Sequence, residues 1–213
     1  MIKQICILTK SYKDSGYCVA GIDLKTRQWV RLVPTIDDDD KIPYFYMNKY
    51  NINALDIIEI ETLKHVPKGC QKENYLIDIK IPPKIIGNIS FKELLAIKGF
   101  DKINDIFGNR GKAITPDNAD LLQYSLILIP VTNLKFSLEQ DAETCKWTKK
   151  ELSFKFKNTD YTLPITDPQY KNIEYNGYTC ERGAIVVSIP AIPYNNWHNK
   201  FVAKIFLENT QSQ

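Results

Sequence analysis

The sequence predicts a mainly β protein, a β-rich α+β chain in which two small antiparallel β-domains are joined by a short helical segment. Apolar and polar residues alternate over the first and last thirds of the chain, as they do in half-buried strands. Helix-capping residues occupy the stretch between them. These changes of period divide the chain into residues 1–84, 85–122 and 123–213.

The composition is that of an ordinary folded domain. Of the 213 residues, 44% are hydrophobic and 25% are charged, which excludes wholesale disorder. The 28 basic and 25 acidic residues leave a formal net charge of +3, too small a surplus to require a nucleic acid or a membrane as a partner. Composition therefore limits the fold class and leaves the function open.

Five strands are predicted in the first region, at residues 3–9, 17–24, 28–33, 55–63 and 75–81. The second and third strands are separated by three polar residues, so they form a β-hairpin. Prolines and acidic residues follow the strands and end them, because proline cannot donate to a ladder and like charges repel.

The middle region changes to helical signals. Ser90 and Glu93 have the spacing of a capping box and begin a helix that stops at Gly99. A second short helix is predicted over residues 101–107, and Thr115-Pro116 starts a third.

The last region is β again, with strands predicted at residues 126–136, 151–156, 161–165, 184–189 and 200–207, the first of which is one strand or two because Pro130 marks a bend or an edge position. Between the third and fourth of these strands, Thr166-Asp167-Pro168 predicts a short helical turn.

Neither the N-terminus nor the cysteines point to secretion. The opening residues lack the apolar stretch of a signal peptide, and no apolar run reaches the length of a membrane span. The five cysteines are odd in number and widely spaced, which argues against a disulfide framework or a zinc knuckle. We expect a cytoplasmic protein with reduced thiols and no membrane partner.

Catalytic and metal-binding motifs are weak. His65 and His198 are too few for a zinc site, and we expect both to be solvated. Residues 108–112 lack the ending of a phosphate loop, although Arg110 and Lys112 could touch a phosphate backbone. The acidic run 37–40 lacks the spaced ligands of a calcium loop and predicts a solvated loop. We expect no cofactor and no enzymatic activity.

Two basic clusters with interleaved aromatic residues suggest nucleic-acid binding. The first contains Lys10, Lys13, Lys25, Arg27 and Arg31 with Tyr12, Tyr17 and Trp29. The second contains Lys146, Lys149, Lys150, Lys155 and Lys157 with Trp147, Phe154 and Phe156. Basic grooves with aromatic platforms hold single strands on small β-barrels. The alternative is that the aromatic residues are core and that the lysines only solubilise sheet edges.

Short motifs occur in four segments: ILTKSYKDSGYCVAGID, QWVRLV, YTLPITDP and HNKFVAKIF. Their matching residues are Gly16, Cys18, Ala20, Gly21, Trp29, Arg31, Thr166, Asp167, Pro168, Lys200 and Ala203. These segments resemble the dual OB-fold domain family of bacteria, over nearly the whole chain. Arg27 and Lys204 depart from the pattern, because each stands where the family leads us to expect a glycine.

The resemblance implies two OB-like barrels that bind nucleic acid, in a bacterial defence or mobile-element system. It makes candidates of Lys10, Lys13, Trp29 and Arg31 in the first barrel, and of Trp147, Lys149 and Lys155 in the second. Trp29 fits a core position as well as a stacking platform. Asp167 is better explained structurally, because Thr166 or Asp167 caps the short helix that begins at Pro168.

Three functions follow from these observations. The leading one is a non-catalytic protein that binds single-stranded DNA or RNA, with lysines on phosphates and bases on aromatic rings. The main rival is an adaptor that docks a partner protein. An enzyme acting on a nucleotide between the barrels is a weaker third, because no convincing general base is present.

Overall fold

A computed structural model of the chain describes residues 1–13, 16–34, 41–140, 147–170 and 175–208. Within the strands, the side chains at 13, 139, 140 and 147–149 lie outside this description. The chain is mainly β and folds into two five-stranded barrels with short helices between and around them, which confirms the predicted fold class. The acidic run 37–40 falls outside the described residues.

The first sheet closes into a barrel. Its strands are β1 (Ile2–Lys13), β2 (Gly16–Asp23), β3 (Trp29–Val33), β4 (Ile42–Pro43), β5 (Asp56–His65), β6 (Asn74–Ile77) and β7 (Lys84–Asn88). The ring runs β1-β2-β3-β6-β5 and returns to β1, where Ile5 lies beside Ile58. Inward residues such as Val19, Val30 and Leu32 alternate with outward ones, as the period of a strand requires.

Three elements of the first half differ from the sequence prediction, and the first is the two-residue strand β4. A six-residue helix, α1 (Tyr44–Lys49), follows β4 where none was predicted. Strand β7 pairs with β5, so the first sheet continues to Asn88, past the boundary predicted at residue 84.

The helical segment is shorter than predicted. Helix α2 (Phe91–Ile97) has the predicted capping box, in which Ser90 accepts from the Glu93 N–H and Glu93 accepts from the Ser90 N–H. After a two-residue strand β8 (Ala113–Ile114), helix α3 (Pro116–Asp120) begins at the predicted cap, Thr115.

The helix predicted over residues 101–107 is wrong. Only a single 3-10 turn, Ile106–Gly108, is present there. Asp101 instead exchanges two hydrogen bonds with Leu128, from its N–H to the Leu128 carbonyl at 2.9 Å and from the Leu128 N–H to its carboxylate at 2.7 Å. Phe107 has a φ of 51°, which no α-helix accommodates.

The second sheet also closes. Its strands are β9 (Leu126–Gln140), β10 (Trp147–Phe156), β11 (Thr159–Pro164), β12 (Thr179–Ser188) and β14 (Phe201–Leu207). They run in the order β11-β10-β9-β12-β14, and a parallel bridge between Ile165 and Val202 joins the two ends. The short strand β13 (His198–Asn199) pairs with β8. The predicted helical turn is the 3-10 helix Pro168–Tyr170, with Asp167 accepting the Gln169 N–H.

The two barrels share a core. The outer face of β1–β3 packs against α2 and the outer face of β9 and β12, which together bury Cys6, Leu8, Ala20, Ile22, Trp29, Leu94, Leu126, Leu128, Ala184 and Val186. The face formed by strands 2 and 3 is where OB barrels bind their ligands. In the first barrel, this face is covered by the second barrel.

Candidate nucleic-acid interface

Trp29 and Arg31 project from one face of β3, and that face is buried. Val30 and Leu32 point into the first barrel, so the residues beside them point outward, toward the second barrel. Trp29 is 2% exposed and Arg31 is 3% exposed. The expectation that these side chains face a ligand is therefore corrected, because the second barrel covers them, and both are left out of the candidate interface.

Arg31 belongs to a buried polar network between the barrels. Its guanidinium donates to the Glu73 carboxylate at 3.2 Å and to the Ser125 hydroxyl at 2.8 Å. Glu73 also accepts from the Ser125 N–H at 3.2 Å and from its hydroxyl. Ser125 immediately precedes β9, so the network joins the first barrel to the first strand of the second.

The other basic residues of the first cluster are dispersed. Lys25 and Arg27 are exposed in the turn between β2 and β3, and Lys10 lines a cleft between the barrels. Arg27 has a φ of 60°, a conformation that favours glycine, which is the residue expected there from the resemblance. The side chain of Lys13 lies outside the described part of the chain.

At the end of strand β10, Lys155 lies on the opposite face from Phe154 and Phe156. Leu152, Phe154 and Phe156 are buried inside the second barrel, while Lys155 is half-exposed on the outside. The core alternative therefore holds for the two phenylalanines. The side chains of Trp147 and Lys149 are not covered by the description.

A groove of about 720 Å³ runs along the outside of the second barrel. Lys155 and Lys157, at the end of β10, line it together with Lys102 and Phe100 from the segment that follows α2. Ile103, which is partly exposed, and Pro130, which is exposed, line it and form an apolar floor. Charged side chains on an apolar groove match the chemistry of a nucleic-acid strand, with phosphates outside and bases inside.

The groove keeps a positive surplus. Among its described lining residues, Asp101 is the one carboxylate, and it pairs with Lys98 outside the groove. Lys157 donates to the Asn104 side-chain oxygen at 2.9 Å, a neutral acceptor, and lies 5.8 Å from the centre of the Phe156 ring. Lys155 is 3.9 Å from Asp160, and both side chains are exposed enough for solvent to weaken the pair.

Arg110 lies apart from this groove. It is 76% exposed and its guanidinium is 3.4 Å from the Asp105 carboxylate. The neighbouring Lys112 forms a 3.0 Å ion pair with Glu151. The loop that carries both is fixed by Lys200, which is fully buried and donates to the Asn109 carbonyl at 2.9 Å and to its side-chain oxygen at 2.6 Å. The lysine of the closing family motif therefore anchors a loop.

Burial lowers the pKa of Lys200 to about 8, although the nearby Asp105 opposes the shift. Between about pH 8 and pH 10 the unfolded chain still holds this proton while the folded chain has released it, so a rise in pH favours the folded state. We expect the free energy of unfolding to rise by about 2 kcal/mol over this range through Lys200. Below about pH 8 both states are protonated and the contribution is constant.

Urea unfolding at several pH values checks this expectation when the Lys200→Met variant is measured beside the parent chain. The other titrating groups are common to both proteins, so the difference between their curves isolates Lys200. The variant should lack the rise, and an equal rise in both proteins would contradict the assignment.

Sequence reasoning missed several exposed residues. Lys102 reaches the groove from residues 101–107, which were predicted as helix, and Phe100 reaches it from the position just before them; no local pattern marks either residue. Tyr194 and Trp197, 71% and 47% exposed, face each other across a two-residue turn between β12 and β13. Asn195 and Asn196 form that turn with positive φ angles, as in a type I′ hairpin. The pair Asn195-Asn196 is the sequence signal that could have predicted this turn.

Two of the described cysteines, Cys6 and Cys70, and one of the described histidines, His198, are buried. Burial raises the pKa of Cys6 to about 12 and that of Cys70 to about 11, so both stay protonated. His198 is buried, not solvated as expected, and its Nδ1 lies 2.8 Å from the Pro190 carbonyl oxygen. Over the described ranges, no group of His, Cys, Asp and Glu side chains could hold a metal ion.

The described helices are all too short or too polar to cross a membrane.

A family model described as the dual OB-containing domain matches residues 3–205. No curated protein matches the chain.

Proposed function

Because the chain belongs to the dual OB-containing domain family, we propose that it binds single-stranded DNA or RNA along the groove of the second barrel, without catalysing a reaction. One observation carries the proposal: Lys102, Lys155 and Lys157 meet on an apolar groove that the first barrel does not cover. A strand would lay its phosphates along the lysines and its bases against Phe100 and the apolar floor.

The choice of the second barrel rests on which outer faces are open. The first barrel buries the outer face of β1–β3 in the shared core, so a ligand would have to separate the barrels to reach it. On the second barrel, Ser153 and Lys155 of β10 and Thr162 of β11 remain partly exposed. A single strand suits the groove because unpaired bases can turn toward an apolar floor.

The test is fluorescence anisotropy of labelled single-stranded and duplex DNA and RNA at two salt concentrations. We expect single strands to bind with micromolar or tighter affinity, and salt to weaken the binding. The double variant Lys155→Glu/Lys157→Glu should bind at least about tenfold more weakly. The slope of its log K against log salt concentration should be less steep by about 1.4, which is about 0.7 for each lost phosphate contact.

Lys64→Glu/Lys84→Glu is the matched control, because it makes the same change of charge at two exposed lysines of the first barrel. It should lose much less affinity than the groove variant. Equal losses in the two double variants would show a general charge effect and exclude the groove. Absence of binding to all four oligonucleotides at low salt would exclude the function.

A protein-interaction role is the second candidate, and strand β7 favours it. This strand is at the end of the first sheet, and its Ile85 and Ile86 are exposed, so a partner could add a strand to it. Loss of a partner on Ile86→Lys substitution, with oligonucleotide binding absent, would support this role. The bacterial defence setting and the cytoplasmic location stay predictions.

A further inference from the structure

A second concave site lies between the two barrels, away from the groove. It has a volume of about 520 Å³. Lys10 of β1 and the segment 53–55 form one side, and Asp167, Gln169 and the β14 residues 204–206 form the other. Ligand sites are often found at such boundaries between domains, and this volume lies in the range of small-molecule pockets.

Lys10 supplies a positive charge to this cleft. Its ammonium donates to the Ile52 carbonyl at 2.8 Å and to the Asn53 side-chain oxygen at 3.5 Å, and both acceptors are neutral. Burial lowers the pKa of Lys10, Lys204 lowers it further, and Asp56 partly offsets both effects. An anion beside Lys10 would stabilise its charged form.

The opposite wall is already balanced in charge. Lys204 lies 3.1 Å from the Asp167 carboxylate and donates to the Gln169 side-chain oxygen at 2.9 Å. Asp167 is almost fully buried, and it also accepts the Ile205 N–H at 2.9 Å and the Gln169 N–H at 3.1 Å. Its hydrogen bonds fix this wall, and Lys10, whose charge Asp56 offsets in part, remains as the cation for a ligand.

The cleft also has an apolar part, and the backbone of one of its residues, Leu55, is strained. Leu55 lines it with a φ of 72°, which a bulky residue rarely adopts. Its N–H donates to the Ile7 carbonyl at 2.7 Å and its carbonyl accepts from Ile89 at 3.0 Å, so the surrounding strands hold it in place. Strained residues of this kind cluster at binding sites. Phe206, on the other side, lines the cleft with an aromatic ring, one face of which stacks on Phe91 with the ring centres 4.5 Å apart.

We propose that the cleft between the barrels binds a mononucleotide, with the phosphate beside Lys10 and the base between Leu55 and Phe206. The size of the cleft, the Lys10 ammonium with its neutral hydrogen-bond acceptors and the apolar part fit a ligand that is anionic at one end and flat at the other. The site shares no residue with the groove, so it does not depend on the function proposed there.

Isothermal titration calorimetry of the full chain tests the proposal with the four ribonucleoside 5′-monophosphates, inorganic phosphate and adenosine as probes. At least one mononucleotide should bind more tightly than phosphate and adenosine. Lys10→Gln should weaken that binding at least about tenfold, since a charged hydrogen bond is lost. Lys10→Arg, which keeps the charge, should bind within a few-fold of the parent chain.

Lys25→Gln, at an exposed lysine of the same barrel, is the matched control and should leave binding unchanged. Lys155→Glu/Lys157→Glu should also bind the mononucleotide normally, which separates this site from the groove. Mononucleotide binding that Lys10→Gln leaves intact would overturn the proposal. So would phosphate binding as tight as any mononucleotide, or no binding at millimolar concentration.

Discussion

Replacing Glu73 with alanine is expected to lower the free energy of unfolding by about 3–5 kcal/mol, because it leaves the Arg31 charge buried without its partner. Arg31 is 3% exposed and its other described acceptor is the neutral Ser125 hydroxyl. The substitution also leaves the buried Ser125 N–H without the Glu73 carboxylate that accepts its hydrogen bond. Urea denaturation followed by circular dichroism measures the loss.

Two further variants distinguish a buried ion pair from a general effect of removing a carboxylate. Glu61→Ala removes an exposed carboxylate from β5 of the same barrel and should change stability by less than about 0.5 kcal/mol. The double variant Arg31→Met/Glu73→Leu removes both charges and should recover much of the loss, since apolar replacements of buried pairs are often tolerated. A double variant no more stable than Glu73→Ala would contradict the electrostatic explanation.

The same network shows how far the sequence could predict the interface. Period-two alternation correctly places Trp29 and Arg31 on one side of β3, because Val30 and Leu32 must face the barrel. Alternation separates the inside of a barrel from its outside and does not say what covers the outside. Here the cover is β9 and β12, more than 90 residues away in sequence, so the pattern could not distinguish a ligand face from a shared core.

The groove was predictable only in part, for a similar reason. Lys155 lies between Phe154 and Phe156, and the alternation of β10 alone predicts that it is outside. Lys102 reaches the same groove because Asp101 bonds to Leu128, a contact between distant segments that also prevents the predicted helix. Helix α1 was missed because its six residues are too few to show a helical period.

Gly21→Ala is expected to lower the free energy of unfolding by about 3 kcal/mol or more, and it gives a physical reason for the glycine in the family motif. A β-carbon at this position would lie 2.1 Å from the Cys6 carbonyl oxygen and 2.9 Å from the Ile5 side chain. The oxygen belongs to the backbone of β1, which is paired with β2 here, so it cannot move without opening the ladder. Thermal or urea unfolding measures the effect.

Gly87→Ala is the matched control for that substitution. Gly87 lies on β7, where an added β-carbon would meet no atom within 4 Å, and its φ is not in the region that favours glycine. Alanine there should be neutral or stabilise by up to about 1 kcal/mol, since it restricts the unfolded chain. If both variants were equally stable, β1 and β2 could not approach as closely as the structure places them. Trp29 is left out of the candidate interface because it is buried in the shared core. That core also depends on the close approach of β1 and β2, because Ala20 and Ile22 flank Gly21 in it.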